Sequence, residues 1–154
     1  MSRTQSIPSA PMQQHPACGN PTAQDRAFIA LQNAYRPHGG LSRLHRRVAG
    51  GCMRPTGQEH EVANIVDAGG VFAFHWYDDL WIPMFQLDLP GPKVAAGPQH
   101  VVAELGGSFD GWALACWFVE PNSWLASRSP IECLSSRLPD VLEAARADRF
   151  VATN

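Results

Sequence analysis

Four candidate metal ligands lie in the first half of the sequence at nearly regular intervals. His38, His45, Cys52 and His60 are separated by steps of seven, seven and eight residues. Structural zinc sites place the members of a ligand pair much closer, with only about two to five residues between them. The spacing therefore does not predict a metal site, and we assign no metal ligands and no cofactor.

A histidine near two carboxylates is the second arrangement that could do chemistry. His75 precedes Asp78 and Asp79, and such a set could provide a general base. The two aspartates are equally typical of a turn between two β-rich runs, while Glu104 and Asp110 are typical helix-end charges around a glycine pair. The sequence contains no phosphate-binding glycine loop, no HExxH and no GxSxG. We therefore assign no catalytic residues and expect the chain not to be an enzyme.

The length and composition predict one folded domain in the cytoplasm. A chain of 154 residues with 45% hydrophobic and 17% charged residues can bury a single core of ordinary size. No apolar run approaches the roughly 18 to 20 residues of a membrane span, and the N-terminus lacks the apolar stretch of a secretory signal. The four cysteines form no CxxC pair. Cys116 and Cys133 lie among apolar residues and are predicted to be small core side chains.

The N-terminal part of the sequence predicts a leader and three helices. Residues 1–21 hold four prolines among Ser and Gln, which predicts a disordered segment. Thr22 with Asp25 predicts a helix start. Three apolar side chains of that helix share one face: Phe28, Leu31 and Tyr35. A short second helix is predicted over 41–48, with Leu41, Leu44 and Val48 inward, and a third begins at the capping box of Thr56 and Glu59.

The rest of the sequence predicts a β-hairpin and four more helices. Residues 71–88 are β-rich, with Asp78–Asp79 as the turn. Pro83 cannot donate to a ladder, so the second strand is expected to be an edge strand or to break there. The helix starts are marked by Pro98, Ser108, the run Ser129-Pro130-Ile131-Glu132, and Pro139. The fold class is therefore mainly α with one hairpin.

The charge distribution suggests a DNA-binding alternative. Residues 1–60 carry seven arginines and two acids, a net +5, while residues 61–154 carry a net −7. Helices followed by a hairpin resemble a winged helix-turn-helix, in which Arg43, Arg46 and Arg47 would neutralise phosphates. The helix that would read the bases carries Glu59, Glu61 and Asp67 and no basic residue. These acids repel phosphate and argue against DNA binding.

The second half of the sequence contains a pattern made of a strand, a central motif and a final helix. Its residues are Pro83, Phe85 and Gln86; Trp117, Pro121, Asn122, Leu125, Ser129, Pro130 and Leu134; and Val141, Leu142 and Ala145. Over roughly residues 80–147 this pattern resembles the toxin-binding domain of Xre/MbcA/ParS-like antitoxins. The sequence departs from the family at Leu125-Ala126-Ser127-Arg128, where the usual motif has a glycine before the arginine.

The resemblance implies a function as well as a fold. Such antitoxins bind RES-domain toxins, which consume NAD, and block the toxin's active site by direct contact. They are not enzymes, are commonly oligomeric, and usually carry an N-terminal helix-turn-helix. Together with the element predictions, the resemblance implies three parts in chain order: a disordered leader (1–21), a degenerate helix-turn-helix-like part (22–88) and a helical toxin-binding domain (89–154).

The candidate toxin-binding residues come from the motif and from the last helix. Trp117, Pro121, Asn122 and Leu125 follow the family pattern. Arg146 and Arg149 are three residues apart and share a helix face, so they could pair with carboxylates of the toxin. Phe150 would add an aromatic anchor. The partner expected is a RES-domain toxin, with a homo-oligomer of this chain in the complex and weak DNA binding at most.

Overall fold

The computed structural model describes residues 22–44, 57–88, 91 and 93–154. Within them the fold is mainly helical, with antiparallel sheets of three and two strands. The elements, in chain order, are α1 Ala23–Tyr35, β1 Leu41–Leu44, α2 Gly57–Asp67, β2 Phe74–Trp76, β3 Asp79–Pro83, β4 Leu87–Asp88, β5 Lys93–Val94, α3 Ala96–Leu105, α4 Gly111–Val119, α5 Pro130–Cys133 and α6 Leu138–Thr153. The predicted leader over 1–21 lies outside the described residues.

Helix α1 begins and ends as its sequence predicts. The Thr22 side chain accepts from the Asp25 backbone N–H at 3.1 Å, and Asp25 accepts from the Thr22 backbone N–H at 2.9 Å. This reciprocal capping box pairs helix-end donors that would otherwise have no partner. Phe28, Leu31 and Tyr35 are buried on one face, as predicted.

The predicted second helix is wrong over its described part, because residues 41–44 form strand β1. Leu41 and Leu44 are three residues apart, a spacing that fits one face of a helix but puts the two side chains on opposite faces of a strand, and the structure accordingly places them in two different hydrophobic clusters. The chain instead turns at Gly39 and Gly40, whose φ angles are +91° and +76°, values that glycine adopts readily. It then pairs antiparallel with β3, from Leu41 opposite Pro83 to Leu44 opposite Leu80. The remainder of this predicted helix, 45–48, lies outside the described residues.

The predicted hairpin forms as β2 and β3. Of the two outcomes expected for the second strand, an edge position is wrong and a break at Pro83 is confirmed, because β3 ends there. The strand order is β1-β3-β2, so β3 is central, and Pro83 stands at its last position. A proline is tolerated there because the chain then leaves the ladder for a 3-10 turn, Met84–Gln86. The turn residues are Tyr77 and Asp78, one position earlier than predicted.

The four helices after the hairpin form, with two corrected starts. Helix α3 begins at Ala96 rather than at Pro98. Helix α4 is capped by Asp110 rather than by Ser108, since the Asp110 side chain accepts from the Ala113 backbone N–H at 2.7 Å. Helix α5 starts as predicted: the Ser129 backbone N–H donates to Glu132 at 3.2 Å. The short sheet β4–β5 was not predicted.

The main core joins the hairpin side of the molecule to the C-terminal helices. Phe28, Leu31, Tyr35, Phe72 and Phe74 pack in one cluster with buried residues of α3 to α6. The Tyr35 hydroxyl donates to the Ala115 carbonyl at 2.8 Å, a buried pairing that fixes α1 against α4. Residues before and after position 88 thus share one core. Cys133 is a fully buried free thiol of this core, which confirms its prediction, whereas the free thiol of Cys116 is half-buried and packs against the edge of the core.

The buried Gln86 side chain hydrogen-bonds three backbone groups between the hairpin and the core. Its Oε1 accepts from the Phe72 backbone N–H at 2.9 Å, and its Nε2 donates to the carbonyls of Phe72 and Pro83 at 2.9 and 3.1 Å. The Gln86 amide therefore pairs both backbone groups of Phe72, as a neighbouring strand would. Burial of an amide is tolerated because its hydrogen bonds are made.

Candidate partner-binding surface

A carboxylate of α6 holds the loop between α4 and α5 in place. Asp148 Oδ2 accepts from the Trp117 indole Nε1 at 2.8 Å and from Asn122 Nδ2 at 2.7 Å. Asn122 Oδ1 in turn accepts from the Trp124 backbone N–H at 2.9 Å. The three side chains connect α4, the loop and α6, so the loop's position depends on residues far apart in sequence.

The loop closes on itself and projects one tryptophan outward. The Asn122 backbone N–H donates to the Arg128 carbonyl at 3.0 Å, and Leu125 is fully buried beneath the loop. Ala126 and Ser127 reverse the chain with φ angles of +55° and +60°. Glycine is the residue that adopts such positive φ angles most easily, so Ser127 occupies a position that would suit glycine. Trp124 is left 63% exposed.

A groove separates Trp124 from the outer face of α6. Its volume is about 300 Å³, with Ala144 and Ala147 on its α6 side and the charged Arg137, Asp140 and Glu143 around them. Positions 140, 144, 147 and 151 recur at helical spacing and therefore share one face. One turn beyond Ala147 on this face, Phe150 and Val151 are 69% and 72% exposed. We call Trp124, Phe150 and Val151 the outer strip.

Arg146 and Arg149 are engaged within the protein. Arg146 binds Glu104 Oε1 through two guanidinium nitrogens at 3.0 and 3.2 Å, and Arg149 donates to the Glu104 carbonyl at 3.1 Å and to its Oε2 at 3.4 Å. The hydrogen bond from Arg146, together with both positive charges, lowers the pKa of Glu104. The two arginines hold α6 against α3, and a partner would have to compete with Glu104 for them.

The structure separates the predicted toxin-binding residues into two groups. Trp117 and Leu125 are buried and Asn122 is buried within the loop, so these three can support a binding surface but cannot form its outer layer. Pro121 and Phe150 are exposed. Asp148, Trp124, Val151 and Glu104 were missed, because nothing in their local sequence shows that α3, α6 and the loop meet.

The residues considered as a general base, as DNA contacts or as metal ligands do not come together in the described part of the fold. His75 is exposed on β2, and Asp79 is bound to Arg43 across the sheet at 2.7 Å, so this carboxylate is engaged with a cation. Arg46 and Arg47, the other DNA-binding candidates, lie outside the described residues, as do His45 and Cys52. In the described ranges no three His, Cys, Asp or Glu side chains gather as a metal-binding group.

Comparisons with known proteins give no relative from which a role could be transferred. No protein-family model, no curated protein and no solved structure matches the chain. In the part of the chain that the structure describes, no helix combines the length and hydropathy needed to cross a membrane.

Proposed function

We propose that this chain is an antitoxin-like binding module that neutralises a RES-type, NAD-consuming toxin by direct contact and has no catalytic activity of its own. The proposal comes from the resemblance over residues 80–147. The observation that supports it is the outer strip, where Trp124 lines a groove against α6 and where Phe150 and Val151 are exposed on the same helix, one turn beyond Ala147. Single exposed apolar residues are ordinary on protein surfaces, whereas several large ones at and near one groove favour an interaction site.

The chemistry of the outer strip suits a protein partner. Tryptophan is among the residues most enriched at binding hot spots, and a groove beside it can receive a side chain of the partner. Arg137 and Asp140 form an exposed ion pair at 2.6 Å on the groove. They provide the polar rim that surrounds the apolar centre of a typical interface.

The residues that we propose to contact the toxin differ in part from those expected from the sequence. Arg146 and Arg149 were candidates for direct contact, but Glu104 binds both. We assign them instead to positioning α6, and we assign the contact to Trp124, Phe150 and Val151. Deletion of 146–154 would also remove Asp148 and the arginine contacts with α3, so single substitutions on the strip test the proposal more cleanly.

Growth rescue tests the proposed function. The chain is co-expressed with the product of the neighbouring gene, which the proposal expects to be a RES-domain protein, and cell density and cellular NAD are followed after induction. Rescue of growth with restored NAD, together with co-purification of the two proteins, is expected. A toxin that still depletes NAD in the presence of the well-expressed chain contradicts the proposal, as does a neighbouring gene that encodes no RES domain. Light scattering on the purified complex tests the predicted homo-oligomer.

DNA binding by a winged helix-turn-helix-like part is the second candidate. The three-stranded sheet with its hairpin supports it, since such a hairpin can act as a wing. The DNA-binding interpretation requires a helix over a segment that includes 41–44, and these residues form strand β1 instead. Arg43 is also paired with Asp79, so its charge is already neutralised. The antitoxin-like function is therefore the one we favour.

A further inference from the structure

A second groove, formed by α1, the hairpin and α4, is lined by aromatic rings. It has a volume of about 500 Å³ and lies between the first turns of α1, at Ala23 and Ala27, and the side chains of Trp76, Tyr77 and Trp112. The lining includes Gln24 and His75 but no Lys, Arg, Asp or Glu. An apolar aromatic groove with a few neutral polar groups favours an uncharged ligand over a phosphate or a nucleic acid.

The rings of the aromatic wall pack against one another. The Trp76 ring stacks on Phe28 with centroids 4.6 Å apart and on Trp112 at 5.5 Å. The Tyr77 ring stands at 71° to Trp76 with centroids 5.0 Å apart. Rings held in this way lose little conformational freedom when a ligand packs against them.

Tyr77 is held at the groove in an unfavourable backbone conformation. Its φ is +50° in the hairpin turn, where glycine or asparagine is the usual choice. Its hydroxyl donates to Asp25 Oδ1 at 2.8 Å, although the side chain is 70% exposed. Backbone strain of this kind occurs preferentially at ligand-binding sites, and here it places an aromatic ring on the groove.

The sequence that precedes α1 contains a motif that aromatic grooves can bind. Thr22 caps α1 and Ala23 already lines the groove, so residues 1–21 enter the described structure at its rim. These residues contain Pro8-Ser9-Ala10-Pro11, a P-x-x-P sequence, and no acid. Proline-rich P-x-x-P segments bind aromatic-lined grooves as polyproline II helices, with residues i and i+3 on the same face.

We propose that the chain's own residues 8–11 dock in the groove formed by Ala23, Ala27, Trp76, Tyr77 and Trp112. At roughly 3.1 Å per residue, the stretch from Pro11 to Ala23 can span up to about 37 Å, so the segment can reach the groove. Gly19, Asn20 and Pro21 are turn-forming residues that allow the chain to fold back. Arg3, the one Arg or Lys in the segment, would complement the exposed Asp78 beside Tyr77.

Tethering makes even weak docking effective. A segment on a short linker has an effective concentration on the order of millimolar, so docking with an intrinsic dissociation constant of about 1 mM would fill the groove about half of the time. Docking adds an intramolecular contact that is independent of the toxin-binding proposal, since the outer strip is formed by α6 and the loop before α5.

The tryptophan indole N–H signals of the full-length chain, observed by NMR, test the proposal. Replacing both prolines, Pro8→Ala with Pro11→Ala, should shift the indole signals of Trp76 and Trp112 and leave that of Trp117, which is bound to Asp148, in place. The matched control, Ser9→Ala with Gln13→Ala, changes the same segment at positions off the proline face and should leave all five indole signals unchanged. Neither change touches the described fold.

A groove variant completes the test. Ala27→Arg adds a long side chain at an exposed helix position that lines the groove, and in this background the proline substitutions should shift no indole signal. Indole signals that do not respond to Pro8→Ala with Pro11→Ala in the unaltered groove overturn the proposal. Shifts that disappear on dilution also overturn it, because they would show that a second copy supplies the segment.

Discussion

Asp148 links three parts of the C-terminal region through one oxygen atom. Its Oδ2 accepts from Trp117 and from Asn122, and both donors belong to buried residues. Asp148→Ala should lower the free energy of unfolding by about 1–3 kcal/mol, because buried donors without partners are costly. Chemical denaturation measures this loss. Asp140→Ala removes an exposed ion pair and an acid in the first turn of the same helix and should cost no more than about 1 kcal/mol; equal losses for the two variants would contradict this role of Asp148.

Ser127 occupies a conformation that suits glycine better. Relief of its positive φ is worth about 1–2 kcal/mol, whereas the added freedom of glycine in the unfolded chain costs about 0.4–1 kcal/mol. Ser127→Gly should therefore raise the free energy of unfolding by about 0.5–1 kcal/mol.

The same substitution at Ser136 is the control for Ser127. Ser136 lies in an exposed turn and is not among the residues with positive φ, so Ser136→Gly should leave the stability unchanged or lower it. Thermal unfolding compares the two variants. A Ser127→Gly protein that melts below the parent would contradict the argument from backbone strain.

The contact between α3 and α6 depends on the charge of Glu104. Its pKa is lowered from the ordinary value of 4.5 by Arg146 and Arg149. A carboxylate with a lower pKa in the folded state stabilises the fold above its ordinary pKa, and this stabilisation is lost as the pH falls through the folded-state pKa. The difference in unfolding free energy between the parent and Glu104→Gln should thus be constant near neutral pH and shrink below pH 4.5.

Arg146→Gln provides the companion measurement for this contact. It removes the side chain that donates the closest hydrogen bonds to Glu104 and should remove most of the same pH dependence. Urea titrations at a series of pH values give both differences. A parent whose advantage over Glu104→Gln grows on acidification would contradict the assignment.

Elements fixed by neighbouring residues were predictable from the sequence, and those fixed by distant pairing were not. The capping boxes at Thr22 and Ser129 join residues three apart, so their sequence pattern was sufficient. Strand β1 was mistaken for a helix, because its conformation is determined by pairing with β3 about forty residues later. The candidate site was incomplete for the same reason: Asp148 and Glu104 act on residues in other elements.

At the scale of the molecule, the uneven charge distribution predicts only weak DNA binding. The net +5 of residues 1–60 would release counterions from phosphates, so any affinity should fall steeply with salt. Asp79 also neutralises Arg43. In mobility-shift titrations with upstream DNA, we expect binding at low salt that is largely lost at physiological salt. Tight, sequence-selective binding at physiological salt would favour the regulator over the antitoxin.

Calorimetric titration of the RES-domain partner measures whether the outer strip binds the toxin, as we propose. Trp124→Ala and Phe150→Ala remove exposed side chains and should each weaken binding by at least about 2 kcal/mol, the scale of interface hot spots. Ile29→Ala, an exposed apolar residue on α1, should leave the affinity unchanged. Parent-like affinity for both strip variants, with melting transitions intact, would contradict the claim.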